Sequence, residues 1–64
     1  QYDLEIPLEY RKIYNSIKQE ALNADEISKK TGENIANVNT ILTMLELEGY
    51  IESFPGNNFK AKEW

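Results

Sequence analysis

The stretch NIANVNTILTMLELEGYIESFPGNNFKAK, Asn34 to Lys62, decides the fold. Ile35, Val38, Ile41, Leu42 and Leu45 recur at intervals of three and four, which puts them on one face of a helix. Asn34 supplies an N-cap, because its side-chain oxygen can accept from a free backbone N–H of the first turn. Gly49 suits the left-handed residue that ends a helix. Tyr50, Ile51 and Phe54 bring side chains that favour strands. Pro55-Gly56-Asn57-Asn58 is turn chemistry, and Phe59 to Lys62 returns as a second strand. A helix followed by a short β-hairpin is the second half of a winged helix.

Working outward, Thr31-Gly32-Glu33-Asn34 forms a tight connection to a preceding helix over Ala24 to Thr31. Asn23 and Glu26 have the spacing of a capping box, and Leu22 and Ile27 that of a hydrophobic staple. Lys29 and Lys30 fall in the last turn, where positive charge suits the carbonyl end, and Gly32 stops the helix. Two helices joined by such a turn make a helix-turn-helix. Glu20-Ala21-Leu22 is a minimal strand able to pair with the hairpin. A first helix is expected from Pro7, at its first position with Ile6 as N-cap, to about Gln19. Tyr10, Ile13, Tyr14 and Ile17 form its core face. Residues 1–6 read as a lead-in or linker end, with 7–62 as the folded part.

The 64 residues make one domain. A chain of this size buries roughly 60% of its unfolded surface, so its stability is modest. Without cysteine or histidine it has neither disulfides nor the usual ligands of zinc. No apolar run approaches the ~18 residues of a membrane span. No signal-peptide pattern is present, so a cytoplasmic location is expected. The start at Gln1, without a Met, fits a C-terminal piece of something longer. Eleven Asp and Glu against seven Lys and Arg give a net charge of −4 and a pI near 4.6. A domain gripping duplex DNA by itself carries a basic stripe.

The run LELEGYIESFPGNNF, residues 45–59, resembles the C-terminal winged helix of DNA-processing protein A (DprA, also called Smf). In that family a Leu-Glu-Leu-x-Gly-x-Ile/Val run precedes a Pro-Gly wing tip and an aromatic. Leu45, Glu46, Leu47, Gly49, Ile51, Pro55, Gly56 and Phe59 stand at those positions. Asp25-Glu26-Ile27, Lys30-Thr31-Gly32 and Val38 extend the likeness, which covers about residues 6 to 60. The resemblance implies a parent protein with a Rossmann-like domain that binds single-stranded DNA in natural transformation. The winged helix would be its accessory. Two features depart from the pattern. Wing positions that are often basic hold Glu52, Ser53 and Asn58, and Glu33 stands where an apolar residue is common. Both weigh against duplex binding.

In a helix-turn-helix the second helix enters the major groove. Its outward residues here are Ala36, Asn37, Asn39, Thr40 and Thr43. Asn can read adenine and Thr can donate to bases or phosphates. Lys60 and Lys62 share one face of the wing strand. Asn37, Asn39, Thr40, Thr43, Lys60 and Lys62 are therefore the candidate DNA-facing residues. Solvated surface is the plainer reading of all six. Base contacts need phosphate contacts to hold register, residues 34–48 contain no Lys or Arg, and Glu46 and Glu48 repel phosphate.

No acidic pair is flanked by a nucleophile, a metal cluster or a phosphate loop, and Pro55-Gly56-Asn57-Asn58 lacks the Gly-Lys-Ser/Thr of a P-loop. Catalysis, a metal, a cofactor and a small-molecule substrate are not expected. Met44, Leu47 and Trp64 are the candidate protein-contact patch. Leu47 lies about 160° or more from Val38 and Leu45 around the helix, at about 100° per residue. Either the termini, with Tyr2, Leu4 and Trp64, fold back over Met44 and Leu47, or these residues meet the parent's main domain or another protein. The expected architecture is an α+β winged helix: three helices with a small antiparallel hairpin. The expected function is a non-catalytic interaction module of a DprA-like protein. The alternative is the DNA-binding domain of a transcriptional regulator.

Overall fold

In the computed structural model, which describes residues 6–62, the chain runs α1 (Leu8–Ser16), β1 (Leu22–Asn23), α2 (Ala24–Thr31), α3 (Ile35–Leu47), β2 (Ile51–Phe54) and β3 (Asn58–Ala61). The sheet is antiparallel in the order β1-β3-β2, with Leu22 opposite Phe59 and Ile51 opposite Ala61. This is the expected winged helix, and a short strand before α2 joins the hairpin as its third member, at Leu22–Asn23 rather than the expected Glu20-Ala21-Leu22, because it is Leu22 and Asn23 that lie opposite Phe59 and Asn58. The expectations that involve Tyr2, Leu4 and Trp64 lie outside the described residues.

Local chemistry sets most of the boundaries. The Asn23 side chain accepts from the Glu26 N–H at 2.8 Å, and the Asn23 N–H donates to Glu26 Oε1 at 3.0 Å. This reciprocal box starts α2. Asn34 Oδ1 accepts from the Asn37 N–H at 2.8 Å and starts α3. Gly49, at φ +86°, ends α3. Its N–H bonds to the Glu46 carbonyl and the Tyr50 N–H to the Leu45 carbonyl, both at 3.0 Å. These are the two bonds of a Schellman motif, which needs a left-handed residue at its centre. At the wing tip Gly56 and Asn57 are both left-handed, at φ +88° and +61°. Glycine and asparagine tolerate that conformation best.

The ends of α1 differ from expectation. Pro7 is the N-cap, not the first helical residue: its ψ is 143°, and its carbonyl accepts from the Tyr10 N–H at 2.9 Å. Ile6 is not a lead-in residue but part of the core, at 1% exposure. The helix stops at Ser16 rather than near Gln19: Ile17 is the C-cap, with its backbone out of the helical region at φ −117° and ψ 20°, and its carbonyl accepts from the Ala61 N–H at 2.9 Å. The closing turn tightens instead, with the Ile17 N–H on the Tyr14 carbonyl and the Lys18 N–H on that of Asn15.

All the elements share one core. Ile13, Ile17, Ile27, Val38, Leu42, Leu45 and Ile51 are fully buried, with Leu22, Ile41 and Ala61 beside them. Tyr10, Tyr50 and Phe59 pack around its rim. Every described buried side-chain polar atom has a hydrogen-bond partner, so the apolar interior carries no desolvation penalty from an unmet group.

Two stability measurements check this account. Leu45→Ala leaves a cavity at the junction of α3 and the sheet, and thermal melts should record a loss of ~2–5 kcal/mol. Gly49→Ala tests the chain reversal alone, because a Cβ there meets nothing within 4 Å. The left-handed backbone by itself should cost about 1–2 kcal/mol. A melt unchanged by Gly49→Ala would mean the reversal forms without that conformation.

Candidate functional site

The outward side of α3 is the surface to examine, since α3 is the second helix of the helix-turn-helix. At about 100° per residue, Ala36, Thr40, Thr43 and Leu47 fall within about 60° of one another, opposite the buried stripe. All four are exposed. Thr40 Oγ1 donates to the Ala36 carbonyl and Thr43 Oγ1 to the Asn39 carbonyl, each at 3.0 Å. Both hydroxyl protons are thus engaged within the helix. This ridge presents methyl and isobutyl carbon and has no free proton donor.

The neighbouring amides are committed or set aside. Asn37 is exposed, and its Nδ2 donates to Glu33 Oε1 at 2.9 Å. Glu33 is a polar hub at the turn between α2 and α3. Its carboxylate also meets Lys12 at 3.6 Å, and its carbonyl accepts from Ser28 Oγ. That role explains how an acid is accommodated where the related pattern has an apolar residue. Asn39 lines a separate cleft at the wing tip with Ile35, Asn57 and Phe59.

Charge is arranged against phosphate. No Lys or Arg occurs between Lys30 and Lys60. The N-terminus of α2, where free N–H groups could hold an anion, carries Asp25 and Glu26 and is closed by its own capping box. Lys60, on β3, and Lys62, just after it, are half-buried. Lys60 sits directly across from Glu52 on the face of the sheet away from the core. Lys12 meets Glu33 and Lys30 meets Glu20 at 3.5 Å, while the Arg11 Nε donates to the Ile6 carbonyl at 3.0 Å. The six residues named as candidate DNA-facing positions therefore do not form one basic, donor-rich surface. Asn37, Thr40 and Thr43 lie on the outward half of α3, Asn39 faces the wing-tip cleft, Lys60 lies on the sheet and Lys62 just beyond its end.

The candidate contact residues are better grouped. Leu47 is 78% exposed and Met44 39%. Thr40, Met44 and Leu47 follow at i, i+4 and i+7, which makes them neighbours on the helix. Trp64 lies outside the described residues. One residue on α1, Leu8, extends this surface and was missed from the sequence. Leu8 is 76% exposed and shares a cleft with Tyr10, Thr40 and Ile41. Pro7 and Tyr10 share a second cleft, of about 340 Å³, with Met44, Glu48 and Tyr50. The available signal was that Leu8 falls off the Tyr10–Ile13–Tyr14–Ile17 stripe, as Leu47 falls off the stripe of α3.

Among the described residues there is no cluster of three or more Asp, Glu, His or Cys that could hold a metal, and no helix long and apolar enough to cross a membrane. Comparison with curated proteins and with solved structures finds no match. A family model does match, that of the DprA winged helix domain, over residues 5–57. That span takes in the helix-turn-helix, the Gly49 reversal and the wing tip, and the chain belongs to the DprA winged-helix domain family.

Proposed function

We propose that this winged helix is a non-catalytic accessory module of a DprA-like DNA-processing protein, working through protein contacts rather than by gripping DNA. The parent would act in the cytoplasm, in competence and natural transformation, where single strands of incoming DNA are handled. The observation that carries the reading is the outward ridge of α3. A helix that reads a major groove needs donors for bases and cations for phosphates. Ala36, Thr40, Thr43 and Leu47 offer no free donor, and α3 contains no cation. An exposed leucine at Leu47 is instead the kind of group that a protein contact covers.

No observation favours the alternative of a transcriptional regulator's DNA-reading domain. The acidic wing position at Glu52 and the acidic first turn of α2 both oppose it.

Two experiments test the reading. In a fluorescence titration at ~150 mM salt, the domain should bind duplex DNA no better than the ~10⁻⁴–10⁻⁶ M typical of non-specific contacts. Submicromolar affinity would overturn it. Any residual binding should weaken, with a shallower salt dependence, when Lys60 and Lys62 are changed to Ala. Leu47→Glu should leave the isolated domain folded to within about 1 kcal/mol, as exposed substitutions do. The same change in the full-length protein should weaken docking of this domain or of a partner. Unfolding of the isolated domain would place Leu47 in the core and remove it from any interface.

A further inference from the structure

Leu8 on α1 and Met44 and Leu47 on α3 have a common charge environment. Leu8 lies alongside Thr40, and Thr40 leads to Met44 and Leu47 along one side of α3. Around the helix Glu46 and Glu48 flank Leu47, each by about 100° and on opposite sides. Glu9, beside Leu8, lines the same cleft as Thr40. Among the described residues, the one cation lining either cleft is Lys12, which meets the Glu33 carboxylate at 3.6 Å. Arg11, next to it, donates its Nε to a backbone carbonyl. The result is an apolar strip, with leucine at both ends, edged by carboxylates.

We propose that the strip from Leu8 through Met44 to Leu47 docks on a protein surface that presents an apolar groove rimmed by Lys or Arg side chains. The proposal rests on reading Leu47 as a contact residue and adds two things: Leu8 as a second anchor, and the chemistry of the partner. Charge selects this occupant. A second copy of the chain would bring Glu46 and Glu48 against their own equivalents, with a net charge of −4 on each molecule. Like charges set face to face in this way cost affinity. Nucleic acid and anionic lipid are opposed by the same carboxylates. A cationic rim pairs with them, while its apolar groove covers the leucines. An amphipathic helix face laid into a groove is a common mode of recognition.

The test uses a synthetic amphipathic helical peptide of leucine and lysine as the probe, with a leucine–glutamate peptide of the same pattern as its control. Amide shifts of the chain are followed by NMR. The lysine peptide should perturb Leu8 and the Thr40–Leu47 segment, and the glutamate peptide should not bind. Leu8→Glu and Leu47→Glu should each weaken binding about tenfold, the effect of losing a buried apolar anchor. Phe54→Glu, at an exposed apolar residue of the wing, should change it by less than about twofold, as substitutions outside a contact do. Each of these variants adds negative charge, so attraction by charge alone predicts tighter binding from all three. That pattern, or equal binding of the two peptides, would overturn the proposal. So would self-association of the unmodified chain in sedimentation that Leu47→Glu abolishes, because the occupant would then be a second copy. If Leu47→Glu weakens docking in the full-length protein while the peptides show no discrimination, the contact reading stands and the cationic partner falls.

Discussion

The reversal at Gly49 is the constraint on which the other elements depend. α3 supplies Val38, Ile41, Leu42 and Leu45 to the core, and the next core residue in the chain is Ile51. Between Leu45 and Ile51 the backbone must leave the helix, turn and enter a strand with its side chain inward. The two bonds from Gly49 and Tyr50 back to Glu46 and Leu45 accomplish this. They also satisfy carbonyls that a helix end leaves open. The sheet is tied to the same point, because the Lys62 N–H bonds to the Tyr50 carbonyl at 3.0 Å. A second tie runs from Ala61 to Ile17, so β3 fastens both the end of α1 and the start of β2.

This arrangement leaves α3 with a sharply divided surface. Its inner side is fixed by packing, and nothing in the fold requires leucine or methionine outside. In most helix-turn-helix proteins the outer side is a place for donors and cations. Here the polar groups near it turn inward on the protein: two threonine hydroxyls to helix carbonyls, and Asn37 to Glu33. A framework associated with nucleic acid can thus be kept while the surface chemistry changes, since folding depends on the other face.

What the sequence made legible was chemistry that acts over a few residues. Asn23 with Glu26, Asn34, Gly32 and Gly49 each specify a boundary through bonds to near neighbours, and each does so in the folded chain. The end of α1 carries no glycine or proline to mark it, and the C-cap Ile17 is instead tied to Ala61, far along the chain. Ile6 was assigned to a lead-in because its burial depends on tertiary packing and not on helical spacing. At the candidate site the exposure of Met44 and Leu47 followed from helix geometry. The engagement of Thr40 and Thr43 did not, because a threonine's rotamer decides whether its proton faces the helix or the solvent. Leu8 escaped notice for a related reason: its nearness to Thr40 comes from the packing of α1 on α3.

The sheet order β1-β3-β2 has a consequence for how copies of this chain behave at high concentration. With β3 in the middle, β2 runs along an edge that no other strand covers among the described residues. An open edge is a template on which a foreign strand can add, and repeated addition leads to aggregates. This edge is kept to the four residues Ile51–Phe54, carries a carboxylate at Glu52, and meets Pro55, which has no N–H to offer. Brevity, charge and proline are the devices by which soluble proteins protect such edges. The hairpin that closes the core thereby also limits the pairing of one molecule with the next.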